Sequence, residues 1–215
     1  MPEQPGERHN PVKTFPIIFD LGGVVIEWDP AEIVRSFTPD PSLGESLLRN
    51  IFHHPDWVKK DRGSLSAEAL VGRFALRTGL SAAEIERLMA LVRASLHLKN
   101  DTLAWIHELK TEGFPLYCLS NMPSDHEAYL RQRYGFWDLF DGIVTSNRVG
   151  LVKPEPEIFR HLLEAHGLDP EKCVFIDDWE ANIQVAGTFG IRGIQFRNVP
   201  DARRQFEQLL RSNHR

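Results

Sequence analysis

Five short apolar runs, 15–20, 116–120, 142–146, 173–177 and 193–196, are bounded by turn-forming residues, and each has the length of a buried β-strand. Between the last four, apolar positions recur at helical spacing, as in Ile158, Phe159, Leu162, Leu163 and His166, with Gly167 placed as a C-terminal stop. Strand and helix alternate from Pro115 to the end, which predicts right-handed crossovers and a parallel sheet. The stretch from Pro30 to Leu98 breaks that rhythm, because it holds helical patterns and no convincing strand. One helix is expected after Ser66, burying Leu70, Val71 and Phe74; another opens with Ser81 and Glu84 at capping-box spacing and buries Ile85, Leu88, Met89 and Val92. A last helix over 201–211 should pack on the core. The expected organisation is an α/β core over 15–29 and 99–215, a small helical insertion over 30–98, and a polar, proline-bearing N-terminal tail over 1–14 that reads as flexible rather than as a signal peptide.

Composition narrows the partners more than the fold. Twenty-five basic against thirty acidic residues give a formal charge of −5, which does not favour a nucleic-acid surface and leaves small molecules as the expected partners. No apolar stretch approaches the ~20 residues that a membrane span needs, so no membrane partner and a cytoplasmic location are expected. Cys118 and Cys173 each sit in an apolar run far apart in the chain, which predicts plain core thiols in a reducing compartment rather than a disulfide.

Ligands of open parallel sheets collect beyond the carboxyl ends of the strands. There the runs deliver Asp20 after the first strand, Ser120 and Asn121 after the second, Lys153 after the third and the Asp177–Asp178 pair after the fourth. Two unit charges 4 Å apart interact by roughly 4 kcal/mol at an effective dielectric near 20, so three carboxylates and a phosphate dianion gathered there would repel one another severely. A single lysine cannot cancel that. A hard divalent cation can, and Mg2+ suits few carboxylates, retained waters and a bridge to phosphate.

The motifs Phe-Asp-Leu-Gly-Gly-Val-Val at 19–25, Leu-Ser-Asn at 119–121, Lys153-Pro154 and Phe-Ile-Asp-Asp at 175–178 resemble, in this order and spacing, the four motifs of the haloacid dehalogenase (HAD) superfamily. The resemblance covers nearly all of the chain from Phe15 onward. It implies a Rossmann-like sheet of strand order 5-4-1-2-3, a type 1 helical cap in place of the insertion, and phosphatase activity on a small phosphorylated metabolite, sugar phosphates among them. By the same likeness Asp20 would form an aspartyl-phosphate, Ser120 would bond the phosphoryl oxygens, and Lys153 would neutralise charge. Mg2+ would be held by Asp20, the carbonyl of Gly22 and Asp178, with Asp177 beside that shell. Ser120, Asn121 and Lys153 are the expected substrate-binding residues. Trp28, near the cap hinge, is the specificity candidate. His53, His54, Trp57 and the Lys59–Lys60 pair read as solvated or packing residues, and 61–66 reads as a loop and helix cap without chemistry.

One departure stands out. HAD phosphatases usually carry a second Asp two residues after the nucleophile as general acid and base, and this chain has Gly22 there. Such assistance is worth roughly 10²–10⁴ in rate, or roughly 3–5 kcal/mol, so its loss slows an enzyme without abolishing it. The substitute acid is expected from Glu27, Asp29, a cap histidine or the substrate. Rival readings are a 2-haloacid dehalogenase, whose Asp attacks carbon without a metal and has no use for clustered carboxylates, a non-catalytic phosphate-binding relative, and a signalling receiver. Receivers place the acidic pair on the first strand and lack an insertion of this size.

Overall fold

The computed structural model describes residues 15–212, so the expected tail over 1–14 lies outside the described residues. Five parallel strands, β1 (Ile17–Phe19), β2 (Leu116–Ser120), β3 (Gly142–Thr145), β4 (Val174–Asp177) and β5 (Arg192–Gln195), form one sheet in the order β3-β2-β1-β4-β5. This is the predicted order read from the other edge.

The central strand shows why the apolar runs are continuous rather than alternating: a parallel sheet is covered on both faces. Ile17 and Phe19 point into a cluster with Trp105, Ile106 and Leu109 of α6 (Asn100–Thr111). Ile18 points the other way, against Ile158, Phe159 and Leu162 of α9 (Pro156–His166), which Gly167 ends in the left-handed conformation. Phe19 sits opposite Cys118 and Ile176, and the Asp20 amide still donates to the Ile176 carbonyl at 2.9 Å. Asp20 therefore leaves the sheet at its carboxyl edge beside the ends of β2 and β4. The first strand is shorter than its apolar run because the chain turns at once, with the amides of Val24, Val25 and Ile26 all donating to the Leu21 carbonyl.

Between the first and second strands lie α1 (Pro30–Phe37), α2 (Pro41–Leu47), a π-helical turn over Leu48–Phe52, α3 (Pro55–Asp61), α4 (Ala67–Thr78) and α5 (Ala82–Ala94). They gather around a hydrophobic cluster of their own that includes Ile33, Leu47, Ile51, Phe74, Ile85 and Leu88. Ser66 caps α4 through the Ala69 amide, and Ser81 and Glu84 close a reciprocal capping box on α5. Val71, expected in the core, is only partly buried at the edge of this cluster. Two backbone bonds, Glu27 N to His97 O at 2.8 Å and Lys99 N to Val25 O at 2.9 Å, clasp the two connecting segments where the chain leaves and re-enters the α/β layers. The remaining helices are α7 (Ser124–Arg133), α8 (Ser146–Val149), α10 (Glu180–Thr188) and α11 (Val199–Ser212). Among the described residues no helix is long and apolar enough to cross a membrane.

Candidate active site

Strand termination brings the separated acids and the lysine to one place. Lys153 is buried, with Nζ 2.9 Å from Asp20 Oδ1 and 2.6 Å from Asp177 Oδ2. Burial opposes its charge, but the Asp177 and Asp20 carboxylates outweigh it and push the ammonium up to about 12. One oxygen from each of Asp20, Asp177 and Asp178 falls within 4.8 Å of the others. Burial, eased by Lys153 and reinforced by Asp177 and Asp178, pushes the Asp20 carboxyl up to about 8.

The three acids are not equivalent. Asp177 is fully buried and saturated: beside Lys153 it accepts from the Trp179 amide at 2.8 Å and from Asn182 Nδ2 at 3.0 Å. Asp178 is exposed and faces the cavity, as does Asp20. Gly23 explains how Asp178 comes so close. Its φ is +75°, and a Cβ there would lie 2.1 Å from Asp178 Oδ2, so only glycine leaves the carboxylate its place. Gly22 is different, since a Cβ there would meet nothing nearer than Trp28 Cβ at 3.8 Å. Space does not forbid an acid at position 22.

Ser120 Oγ is buried and has no hydrogen-bond partner among the described residues, a costly state for a hydroxyl unless a ligand supplies one. Asn121 instead spends its amide on the backbone of Lys153, accepting from the Lys153 amide at 2.7 Å and donating to its carbonyl at 2.8 Å. Its side chain thus fixes the lysine loop rather than pointing free into the cavity. This oxygen-only donor set, with an orphaned hydroxyl behind it and a glycine cleared for Asp178, fits a small hard cation and a phosphoryl group.

Asp20, Gly22, Asn121, Lys153 and Asp178 line a cavity of about 1220 Å3 between the sheet edge and the inserted helices, and Trp28, beside Gly22, lines it as well. Ser120 and Asp177 stand behind its surface. Trp28 belongs to an aromatic wall with Trp57 (centroids 5.6 Å) and Phe52 (6.2 Å), while Phe52 and Trp57 lie 4.9 Å apart. His126 of α7 closes that wall 6.3 Å from Trp57. Burial and the nearby Lys60 ammonium hold His126 down to about 3, hence neutral. Lys60, read from the sequence as solvated or packing, is buried, with Nζ 2.7 Å from Asp125 Oδ1 and 3.4 Å from His126 Nε2. Trp57 is buried in the wall. His54 caps α3 through the Asp56 amide, and His53 is exposed.

Phe52, His126 and Asp61 were not singled out by the sequence. Phe52 and His126 sit inside ordinary helical patterns, and Asp61 precedes Arg62-Gly63, a string with the look of a solvated turn. Nothing local marks them, since their position depends on how the inserted helices meet the sheet.

A family model for haloacid dehalogenase-like hydrolases matches residues 17–190. The chain is 28% identical over 193 residues to the sesquiterpene phosphatase astK of Aspergillus oryzae, covering 90% of this chain and 95% of that protein. It is 24% identical over 204 residues to a D-ribitol-5-phosphate phosphatase of Bacteroides thetaiotaomicron, covering 91% and 98%. Two further relatives are longer proteins, of which the chain spans 36% and 19%. A HAD family enzyme of Bacteroides thetaiotaomicron, solved with magnesium and inorganic phosphate, superposes with a TM-score of 0.68 at 25% identity over 86% of this chain and 95% of that one. Motif order, sheet order and family match agree, and the chain belongs to the haloacid dehalogenase-like hydrolases.

Proposed function

We propose that the protein is a Mg2+-dependent phosphatase that hydrolyses a phosphate monoester through an aspartyl-phosphate on Asp20. The observation that carries this reading is the convergence of Asp20, Asp178 and Lys153 on one cavity, backed by a buried Ser120 hydroxyl with no partner among the described residues. Asp20 Oδ1 is held by the Leu21 amide at 2.6 Å and by Lys153 at 2.9 Å, which leaves Oδ2 as the attacking atom. Ser120 donates to a phosphoryl oxygen, and Lys153 offsets the charge that builds in transfer. Asn121 acts through Lys153 by bracketing its backbone.

Mg2+ would be held by Asp20, Asp178 and the Gly22 carbonyl. When bound it lowers the repulsion between phosphate and carboxylates and polarises the phosphoryl group. Asp177, with both oxygens already engaged, orients Lys153 and lies outside the ligand set. The inserted helices over 30–98 serve as a cap, closing the far side of the cavity. A metal-free dehalogenase would gain nothing from the exposed Asp178 beside Gly23.

The alcohol portion of the substrate faces the wall of Trp28, Phe52 and Trp57. Trp179, 55% exposed, and Val58, 43% exposed, line the same cavity, so two of the three exposed large hydrophobics among the described residues border it. Exposed apolar side chains gathered at one opening mark a binding surface. This favours a monoester of an apolar alcohol over a polyol phosphate, in line with astK, which is named for a sesquiterpene, rather than with the ribitol-5-phosphate enzyme. Phosphate release from prenyl, aryl and sugar phosphates tests both parts. Mg2+-dependent release, abolished by EDTA and by Asp20→Asn and fastest for the apolar esters, is expected. Metal-independent release would overturn the reading, and a preference for sugar phosphates would overturn the substrate class alone.

A further inference from the structure

The position where relatives in this family place an acid is Gly22, yet phosphate transfer to Asp20 must still deliver a proton to an alkoxide leaving group. Of the acids flagged by the sequence, His53 lines the cavity but is exposed and the others are placed worse, as is His126, which the sequence did not flag. Glu27 is exposed and lies 3.9 Å from Lys99, Asp29 caps α1 through the Glu32 amide at 2.9 Å, and neither lines the cavity. His54 lines it but accepts from the Asp56 amide at 3.1 Å through Nδ1. His126 is buried, and its Nε2 faces the Lys60 ammonium.

Asp61, the last residue of α3, is placed otherwise. It lines the same cavity as Asp20 and Lys153, it is 9% exposed, and its carboxyl receives no hydrogen bond from any described residue. Lys60, the residue before it, donates from its ammonium to Asp125 and acts on Asp61 through its charge alone. The backbone around Asp61 is fastened to the sheet side: Ser146 Oγ donates to the Asp61 carbonyl at 2.6 Å, and Arg62 donates to the Gly150 carbonyl at 3.0 Å and pairs with Glu155. A buried carboxyl that lines a reaction cavity, receives no hydrogen bond from a described residue and sits on a fastened backbone is placed for proton transfer.

We propose that Asp61 replaces the missing acid: protonated, it gives its proton to the leaving oxygen, and ionised, it takes one from the water that attacks phospho-Asp20. This rests on the aspartyl-phosphate reading above. In the first half the Asp20–P bond forms, the P–O bond to the alcohol breaks with its electron pair on that oxygen, and the Asp61 proton joins it. In the second half a water oxygen bonds to phosphorus, the Asp20–P bond breaks, and the water proton returns to Asp61. The charged groups that act on the Asp61 carboxyl are Lys60 from its own helix, Asp125 from α7 and Lys153 from the loop after α8, and Asp125 is itself flanked by His126 and by Arg93 of α5. Burial, countered by Lys60 and Lys153 and reinforced by Asp125, pushes Asp61 up to about 7, so both forms are populated near neutrality.

The test compares Asp61→Asn and Asp61→Glu with the parent on an alkyl phosphate and on 2,4-dinitrophenyl phosphate, whose leaving group needs no proton. Asp61→Asn is expected to slow phosphorylation of Asp20 by the alkyl ester by about 10²–10⁴ and by the dinitrophenyl ester by less than about tenfold, and to accumulate phospho-Asp20 with the latter. Asp61→Glu should recover part of the alkyl rate. Equal slowing of both esters, or no slowing of the alkyl ester in a variant with an unchanged melting transition, overturns the role of Asp61 while leaving the nucleophile intact. No phosphoryl group on Asp20 of the parent with either ester overturns the phosphatase reading and Asp61's role with it.

Discussion

Replacing Lys153 by Met keeps most of the buried stem and removes one charge from between two carboxylates. Nζ stands 2.9 Å from Asp20 and 2.6 Å from Asp177, and the pair raises the lysine from 10.5 to about 12 against the cost of burial. That rise corresponds to about 2 kcal/mol of folding stability. A group raised on folding contributes this fully below its unfolded value and loses it as pH rises through about 12, so at neutral pH the whole amount is present. The variant loses more, because Asp20 and Asp177 are left buried without their counter-ion, a state that costs about 3–5 kcal/mol when one partner of a buried pair is removed. Asp20 already stands at about 8 beside the lysine and rises further without it, so the loss should grow by about 1 kcal/mol from near pH 8 to near pH 9. Urea unfolding of both proteins at the two pH values, without Mg2+, reads it directly. A loss under about 1 kcal/mol near pH 8, or an equal loss at both, would refute the claim that this ammonium holds the acids together.

Gly23→Ala places a Cβ 2.1 Å from Asp178 Oδ2 at a φ of +75°, so the Mg2+ concentration for half-maximal phosphatase activity should rise about tenfold or more, and an unchanged value would contradict Asp178 as a ligand. Gly22→Asp has room, with its nearest neighbour at 3.8 Å, and in the Asp61→Asn background it should restore at least about tenfold of the lost alkyl-ester rate. Asp56 is 2% exposed beneath Arg77, Lys59 and Arg73; its hydrogen bond from Arg77, with help from Lys59, lowers it to about 2 despite burial. Asp56→Ala should cost about 3 kcal/mol, measured by urea unfolding at neutral pH. The contribution of Asp56 is present above its ordinary value of 3.8 and lost as pH falls through about 2, so the parent and the variant should converge in strong acid.

The α/β layers were legible because their signals are local or periodic. Continuous apolar runs marked all five strands, Gly167 marked the end of α9, and Ser81 with Glu84 marked the start of α5. Strand termination then placed Asp20 and Asp178 on one cavity with Lys153, since residues just past parallel strands share an edge. The reverse held for groups whose surroundings come from distant segments. Asn121 looked like a ligand-facing polar residue, but its partner is the Lys153 backbone, 32 positions away. Lys60 read as solvated or packing, and it is the packing role that holds, with its ammonium on Asp125 of α7, 65 residues on. Asp61 sits at a helix end with no local mark of burial, and the contacts that fasten its backbone come from Ser146, 85 residues on.

The central claim is that Asp20 becomes phosphorylated in turnover. Rapid acid quench of the protein turning over an aryl phosphate with Mg2+, followed by mass spectrometry of its peptides, locates the phosphoryl group. Its presence on the peptide bearing Asp20, and its loss in Asp20→Asn and in EDTA, is the predicted result. Phosphate release that proceeds while no peptide gains a phosphoryl group, or while Asp20→Asn remains active, would contradict the account.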